Sequence, residues 1–283
     1  MTARSIIVGY DRSPAAEAAA VWALDEAART GAPVQFLYAY EPVAGVPTPA
    51  GWLEGETDRA VQDALRDAVT SAATTHPGVH IETSVVHASA ATTLIERSAE
   101  AGLVVVGSRG HSAVANLLGS VSLAVSAQAH CPVVVVRGDP ARTGSIVVGV
   151  DESTSAQLAL GFAAETAAAR GSELLVVRAR PPLRGFWVEK PEVVQAALNV
   201  LARQLEDVLA PWRDKYPQVP VRTEVLAEHP AAALTRYGTS AQLVVVGSRG
   251  RGALRGMVLG SISQHLLHHA PCSVAVVHDR IEA

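Results

Sequence analysis

Short apolar runs and longer Ala-rich or amphipathic stretches take turns along the chain. Residues 5–8 are apolar with no polar alternation, the pattern of a strand buried on both faces. The next stretch opens with Ser13 and Pro14, a helix cap and a first-turn residue, and stops at Gly31. Residues 34–38 predict a second strand. A loop with Pro42, Pro47 and Pro49 follows, and then a predicted helix over 57–74. Strand 80–86, helix 90–101, strand 103–106, helix 120–129 and strand 133–136 complete the series. Strands separated by helices predict a parallel sheet with right-handed crossovers, five strands with helices on both faces.

The series occurs twice. Ile6-Ile7-Val8-Gly9-Tyr10-Asp11 returns as Ile146-Val147-Val148-Gly149-Val150-Asp151. Leu103-Val104-Val105-Val106-Gly107-Ser108-Arg109-Gly110 returns as Leu243-Val244-Val245-Val246-Gly247-Ser248-Arg249-Gly250. Both pairs stand 140 residues apart (151 − 11 and 247 − 107). Solenoid repeats run about 20–50 residues, so this period means two whole domains. The polar segment 137–144, with its Gly and Pro, divides them into 1–138 and 145–283. The expected fold class is therefore α/β, a tandem repeat of two such domains.

Composition narrows the function. The 283 residues are 49% hydrophobic, enough for each domain to bury a core without metal or disulfide staples. Lys+Arg number 23 against 27 Asp+Glu, a net charge of −4, which argues against a dedicated nucleic-acid binder. Aromatics at 4% argue against a base-stacking platform. Two cysteines, Cys131 and Cys272, do not make a disulfide framework; they read as small buried hydrophobes in a reducing compartment. No apolar run nears the roughly 18 residues that cross a bilayer, and the N-terminus lacks a signal-peptide pattern. The expectation is a soluble cytoplasmic protein with no membrane or nucleic-acid partner.

Candidate chemistry gathers at the carboxyl ends of the strands, where open α/β sheets bind ligands. Asp11 and Asp151 follow the first strand of each copy. In the second copy Gly247-Ser248-Arg249-Gly250 is followed by nine residues and then Gly260-Ser261. Glycines expose backbone N–H groups, and the helix expected to start at Ser261 favours an anion at its N-terminus. Arg249, Arg251 and Arg255 add positive charge. The set reads as a polyphosphate cradle. Asp151 is placed to meet a ribose hydroxyl, a base nitrogen or a metal on the phosphates. The competing structural reading makes Ser261 a plain N-cap and Asp151 a cap for the helix after Ser153. Ala253-Leu254 stands where a Walker loop has Lys-Ser/Thr, so a P-loop is disfavoured. A dinucleotide fingerprint at Gly250, Gly252 and Gly256 is offset from the strand and broken by His111-Ser112 in the other copy.

These motifs together resemble the universal stress protein family: strand–Gly-Tyr/Val-Asp, then strand–Gly-Ser-Arg-Gly, eight or nine residues, Gly-Ser, then Cys-Pro or Pro-Cys before a Val-rich strand. The resemblance covers nearly the whole chain. It implies two Rossmann-like (adenine nucleotide alpha hydrolase-like) domains that bind ATP, with magnesium on the phosphates. The implied role is a nucleotide-dependent sensor or regulator of stress response or dormancy with little or no catalysis. The alternatives are a nucleotide-independent scaffold and a slow ATPase. By position it implies contacts at Gly149, Asp151, Ala179, Val246, Gly247, Arg249, Gly250, Gly260, Ser261 and Ile262. The first-copy counterparts are Gly9, Asp11, Ala39, Val106, Gly107, Arg109, Gly110, Gly119, Ser120 and Val121. It further implies pseudo-twofold pairing of the two domains through their last strands, and a homodimer.

The first copy departs from the pattern. Its loop 111–118 is one residue short and lacks counterparts of Arg251 and Arg255, so the second site is the better candidate. A long loop tolerates a single deletion, which leaves closure on ATP open. His265, His268 and His269 share a helix, but without an HExxH glutamate they read as a solvated or interfacial face rather than a zinc site. Ser108 and Ser248 lie outside any Gly-x-Ser-x-Gly elbow, so no hydrolase triad is expected.

Overall fold

A computed structural model describes residues 4–41, 52–110, 118–181, 191–250 and 259–279, without the side chains of 52–57. The expected proline loop and the residues His111, Ser112, Arg251, Gly252, Ala253, Leu254, Arg255 and Gly256 lie outside this set. The chain divides into two compact units, Met1–Ala141 and Arg142–Ala283.

The first unit runs β1 (Ile6–Gly9), α1 (Pro14–Thr30), β2 (Val34–Ala39), α2 (Trp52–Thr75), β3 (Ile81–Val86), α3 (Ala90–Arg97), β4 (Leu103–Gly107), α4 (Ser120–Gln128) and β5 (Val133–Val136). Its strands pair in parallel, in the order β3-β2-β1-β4-β5. The second unit repeats this with β6 (Ser145–Gly149), α5 (Thr154–Arg170), β7 (Leu174–Ala179), α6 (Pro191–Lys215), β8 (Val221–Leu226), α7 (Pro230–Gly238), β9 (Ala241–Gly247), α8 (Ser261–His269) and β10 (Ser273–Val277). Its parallel order is β8-β7-β6-β9-β10. Five parallel strands per unit are what the sequence predicts. The chain leaves β1 in one direction along the sheet and returns to the other side of it for β4. Right-handed crossovers therefore put α1 and α2 on one face and α3 and α4 on the other. The place where the direction reverses, between β1 and β4 or β6 and β9, is the switch point where such sheets hold ligands.

Local sequence accounts for the elements. β4 is Leu-Val-Val-Val-Gly, and every one of its residues is buried, as a central strand covered on both faces requires. Ser13 caps α1 by accepting from Ala16 N–H at 3.2 Å, with Pro14 in the first turn. Gly31 and Gly171 close α1 and α5 in the left-handed region, at φ 71° and 59°. Cys131 and Cys272 are buried thiols, not joined in a disulfide.

The helix expected over 90–101 ends at Arg97. Ser98 is fully buried; its hydroxyl donates to Ile95 O at 2.5 Å and accepts from His130 N–H at 2.8 Å. That cross-link draws the backbone into two turns before β4. The helix expected from residue 57 starts earlier, at Trp52. The N-cap of α8 is Gly260, not Ser261, and Ser261 is the first helical residue.

Gly107 and Gly247 end the central strands for a steric reason. A Cβ on Gly107 would stand 2.6 Å from the Ala15 carbonyl carbon and oxygen, and one on Gly247 would stand 2.8 Å from the Ser155 carbonyl carbon. Only a residue without a Cβ lets the first turn of α1 or α5 lie against the strand tip. Gly107→Ala should therefore lower the unfolding free energy by about 1–3 kcal/mol. Gly78→Ala, where nothing lies within 4 Å, should change it by less than about 0.5 kcal/mol. Urea melts of the two variants make the comparison.

Candidate functional site

Each unit carries a cleft over its switch point. The second unit's cleft, of about 420 Å³, is lined by all ten residues expected there: Gly149, Asp151, Ala179, Val246, Gly247, Arg249, Gly250, Gly260, Ser261 and Ile262. The first unit's cleft, of about 470 Å³, gathers the other ten: Gly9, Asp11, Ala39, Val106, Gly107, Arg109, Gly110, Gly119, Ser120 and Val121. The two sets are thus brought together, each within its own unit.

The tip of the β6 turn fixes the acidic residue. Asp151 Oδ1 accepts from Ser153 N–H at 2.9 Å and from the Ser153 hydroxyl at 2.5 Å. Ser153 also accepts from Ala156 N–H at 3.2 Å, so it caps α5 while orienting Asp151. Ser13 N–H makes the equivalent bond to Asp11 Oδ1 at 2.9 Å. The competing reading of Asp151 as the cap of this helix does not hold: Ser153 is the N-cap, and Asp151 is held in the turn ahead of it. Gly250 then passes over the carboxylate: a Cβ there would stand 2.9 Å from Asp151 Oδ2, and one on Gly110 would stand 2.7 Å from Asp11 Oδ2.

Hydroxyls latch the loop after the fourth strand to its surroundings. Ser155 donates to the Arg249 carbonyl, and the Ser153 oxygen lies 3.4 Å from the same carbonyl. Ser263 donates to Gly247 O at 2.7 Å, and Ser122 donates to Gly107 O at 2.6 Å. These two bonds hold the first turns of α8 and α4 onto the strand tips. Neither Gly260 nor Gly119 supplies a side-chain cap, so among the described residues no N-cap side chain takes up the leading N–H groups of either helix. Gly260 N–H bonds Ser248 O at 2.7 Å and Gly119 N–H bonds Ser108 O at 2.9 Å. The long and short loops thus leave from and return to equivalent anchors.

The rest of each cleft is more apolar. In the second unit Val177, Leu201, Pro230 and Leu234 line it together with Ala179. Arg178 also lines the cleft and is itself buried; it pairs with Glu152 and donates to Gln204 Oε1 at 3.2 Å. Arg180 lines the rim. In the first unit Tyr10, Leu37, Ala90 and Leu94 take the apolar side. Tyr10 stacks on Phe36 and donates to Glu17, and burial followed by that carboxylate pushes its phenol well above the usual range. Sequence reasoning missed Arg178, Glu152, Arg180 and Leu234, and the hydroxyls of Ser122 and Ser263. The serines carried a signal: each stands two residues beyond the Gly-Ser pair in its own copy.

Comparison with known proteins gives one consistent answer. Residues 2–137 and 143–278 each match the family model described as the universal stress protein family. A universal stress protein of Mycobacterium tuberculosis is 35% identical over 285 residues, covering 96% of both chains. One of Mycolicibacterium smegmatis is 35% identical over 298 residues, covering 99% of this chain and 98% of its own. The crystal structure of a universal stress protein from Archaeoglobus fulgidus has the same fold, at TM-score 0.71 and 20% identity, over 100% of this chain and 98% of that one. No helix among the described residues is long and apolar enough to cross a membrane.

The histidines of α8 line neither cleft. His265 and His269 pack with ring centroids 4.6 Å apart. Burial, then His269, His229 and His268, lower the His265 pKa from 6.5. The unfolded chain therefore takes up the proton more readily, so this contribution to stability is lost as pH falls below the ordinary imidazole value. His265→Gln should lose less melting temperature than the native chain between about pH 7.5 and pH 5.5, a window set around that value. Thermal melts at both pH values measure it.

Proposed function

The chain belongs to the universal stress protein family, and from that premise we propose that its clefts bind an adenine nucleotide, ATP, and that binding serves a regulatory response to stress rather than turnover. The observation that carries this is the pairing, in one cleft, of an apolar slot with an uncapped helix start. Val177, Leu201 and Leu234 beside Ala179 suit the flat face of a purine. The N–H groups of Ser261 and Ile262, the Ser261 hydroxyl and the positive end of α8 suit a phosphate chain.

The residues divide the work. The backbone of Ala179 meets the base. Asp151, held by Ser153, presents its carboxylate to the ribose hydroxyls. Gly149, Val246 and Gly247 form the floor, and Gly250 lets the loop pass close above it. Arg249, Gly260, Ser261 and Ile262 take the phosphates, and magnesium enters as their counterion. In the first unit the same parts fall to Gly9, Asp11, Ala39, Val106, Gly107, Arg109, Gly110, Gly119, Ser120 and Val121. The equivalent anchors of the two loops support binding in both units, the shorter loop included.

Calorimetry of ATP, ADP and AMP against the nucleotide-stripped chain tests the reading. Saturable heat is expected, with up to two equivalents of ATP. Gly250→Val places its side chain against the Asp151 carboxylate rather than against backbone. It should leave the fold intact and weaken the second site by at least about tenfold, roughly 1.4 kcal/mol. Gly110→Val should do the same to the first. Flat titrations, together with no nucleotide released on denaturing the freshly purified chain, would remove the proposal. Sustained phosphate release lost on Asp151→Ala would replace a sensor with an ATPase.

A further inference from the structure

Arg178 puts a charge into the wall of the second cleft. It is 6% exposed and stands in β7 between Val177 and Ala179, which line the cleft with it. One of its nitrogens is fully used: Nη2 donates to Glu152 Oε1 and, at 3.2 Å, to Gln204 Oε1. Among the described residues neither Nη1 nor Nε has a hydrogen-bond partner. A guanidinium has five N–H donors and no acceptor, so most of the donors of Arg178 are left over.

A purely structural role does not account for them. Glu152 belongs to the turn after β6 and Gln204 to α6, so Arg178 ties that turn to that helix. Nη2 alone makes the tie. The remaining donors sit on a side chain that is largely withheld from bulk water, where an N–H without an acceptor is costly. The cleft is the space that Arg178 lines, and an acceptor placed there would offset that cost.

Its place in the cleft says which part of a ligand it meets. β6 lies between β7 and β9, so Arg178 stands on the far side of the switch point from α8 and its phosphate-favouring N-terminus. Gln204 is one helical turn beyond Leu201, and Leu201 lines the cleft with Val177 and Ala179. Arg178 thus belongs to the apolar slot that suits a purine. The ring nitrogens of a purine are acceptors, and a guanidinium edge is a donor-only match for them. The arrangement is private to the second unit. Tyr38, Arg12 and Ala64 stand 140 residues before Arg178, Glu152 and Gln204, and Tyr38 does not line the first cleft.

We propose that Arg178 is a specificity-determining residue of the second cleft: its free guanidinium edge donates to a ring nitrogen of the bound purine, while Glu152 and Gln204 hold the group in place. This rests on the nucleotide binding proposed above and adds that the two clefts recognise the base by different means. The second uses a charged side-chain donor, and the first has none at that position.

The test is calorimetry of ATP and of its 1-deaza, 3-deaza and 7-deaza analogues, each with one ring nitrogen replaced by C–H. The protein is the full chain carrying Gly110→Val, which closes the first cleft. One analogue should bind about tenfold or more weakly than ATP, the worth of a hydrogen bond from a charged donor. Arg178→Met should weaken ATP by a similar factor and erase that difference, a readout that a strut between Glu152 and Gln204 would not move. Far-UV dichroism reports folding. Arg178→Lys, which keeps a cation beside Glu152, should also erase the difference, and it decides the matter if Arg178→Met loses structure. In the chain carrying Gly250→Val, with the first cleft open instead, Arg178→Met should leave the analogue pattern unchanged. Equal affinities for ATP and all three analogues, or a difference that survives in both Arg178 variants, overturn this proposal alone. No heat from ATP itself removes the nucleotide reading beneath it.

Discussion

At the tip of each central strand there is no room for a side-chain carbon. Gly107 and Gly247 bring the strand backbone to within contact of the first turn of α1 and α5, at Ala15 and Ser155. The rest of each cleft is built outward from that approach. It places Ser153 where its hydroxyl both caps α5 and grips Asp151. It puts Ser155 within reach of the Arg249 carbonyl, and it leaves the strand-end carbonyls for Ser122 and Ser263 to bind. The helix whose N-terminus borders the cleft is thus located by the packing of a different helix. In the sequence these glycines read as a means of exposing backbone N–H groups to a phosphate. Their more basic role is steric, and the exposed amides follow from it.

Most of the architecture was legible because it depends on signals that local sequence carries. The unbroken Val runs predicted buried parallel strands, Ser13-Pro14 and Gly31 marked the ends of α1, and the 140-residue period announced two domains. What sequence could not show was set by distant partners. The end of α3 at Arg97 depends on Ser98 bonding His130, 32 residues away. The shift of the α8 cap from Ser261 to Gly260 depends on Gly260 N–H turning back to Ser248 O. The apolar walls of the clefts, Leu94 and Leu234 among them, look like ordinary helix-face residues until the helix is laid over the sheet. The arginine-rich part of the second loop lies outside the described residues.

The two units keep one scaffold and have diverged in what lies beside it. Tyr10 stacks on Phe36 and is tied to Glu17, whereas Val150 stands in its place in the second unit. Arg12 adopts a positive φ of 65°, and its counterpart Glu152 instead reaches Arg178. The buried Arg178 depends on Glu152 and Gln204 for its compensation, since an uncompensated buried charge costs several kcal/mol, about 3–5 when one partner is removed. The second cleft thus has a buried charge in its lining and the first a buried aromatic ring, although the residues expected to meet a ligand match position for position. Duplication has preserved the backbone cradle and freed its supports to change.

Gly119 and Gly260 return their N–H groups to Ser108 and Ser248, so each intervening loop is stapled at both feet, one residue apart in length. A segment fastened in this way behaves as an interchangeable cassette. Its length and chemistry can drift, or be swapped wholesale, without disturbing the frame on either side. The span alone is then free to be replaced while the cleft-bearing frame stays as it is.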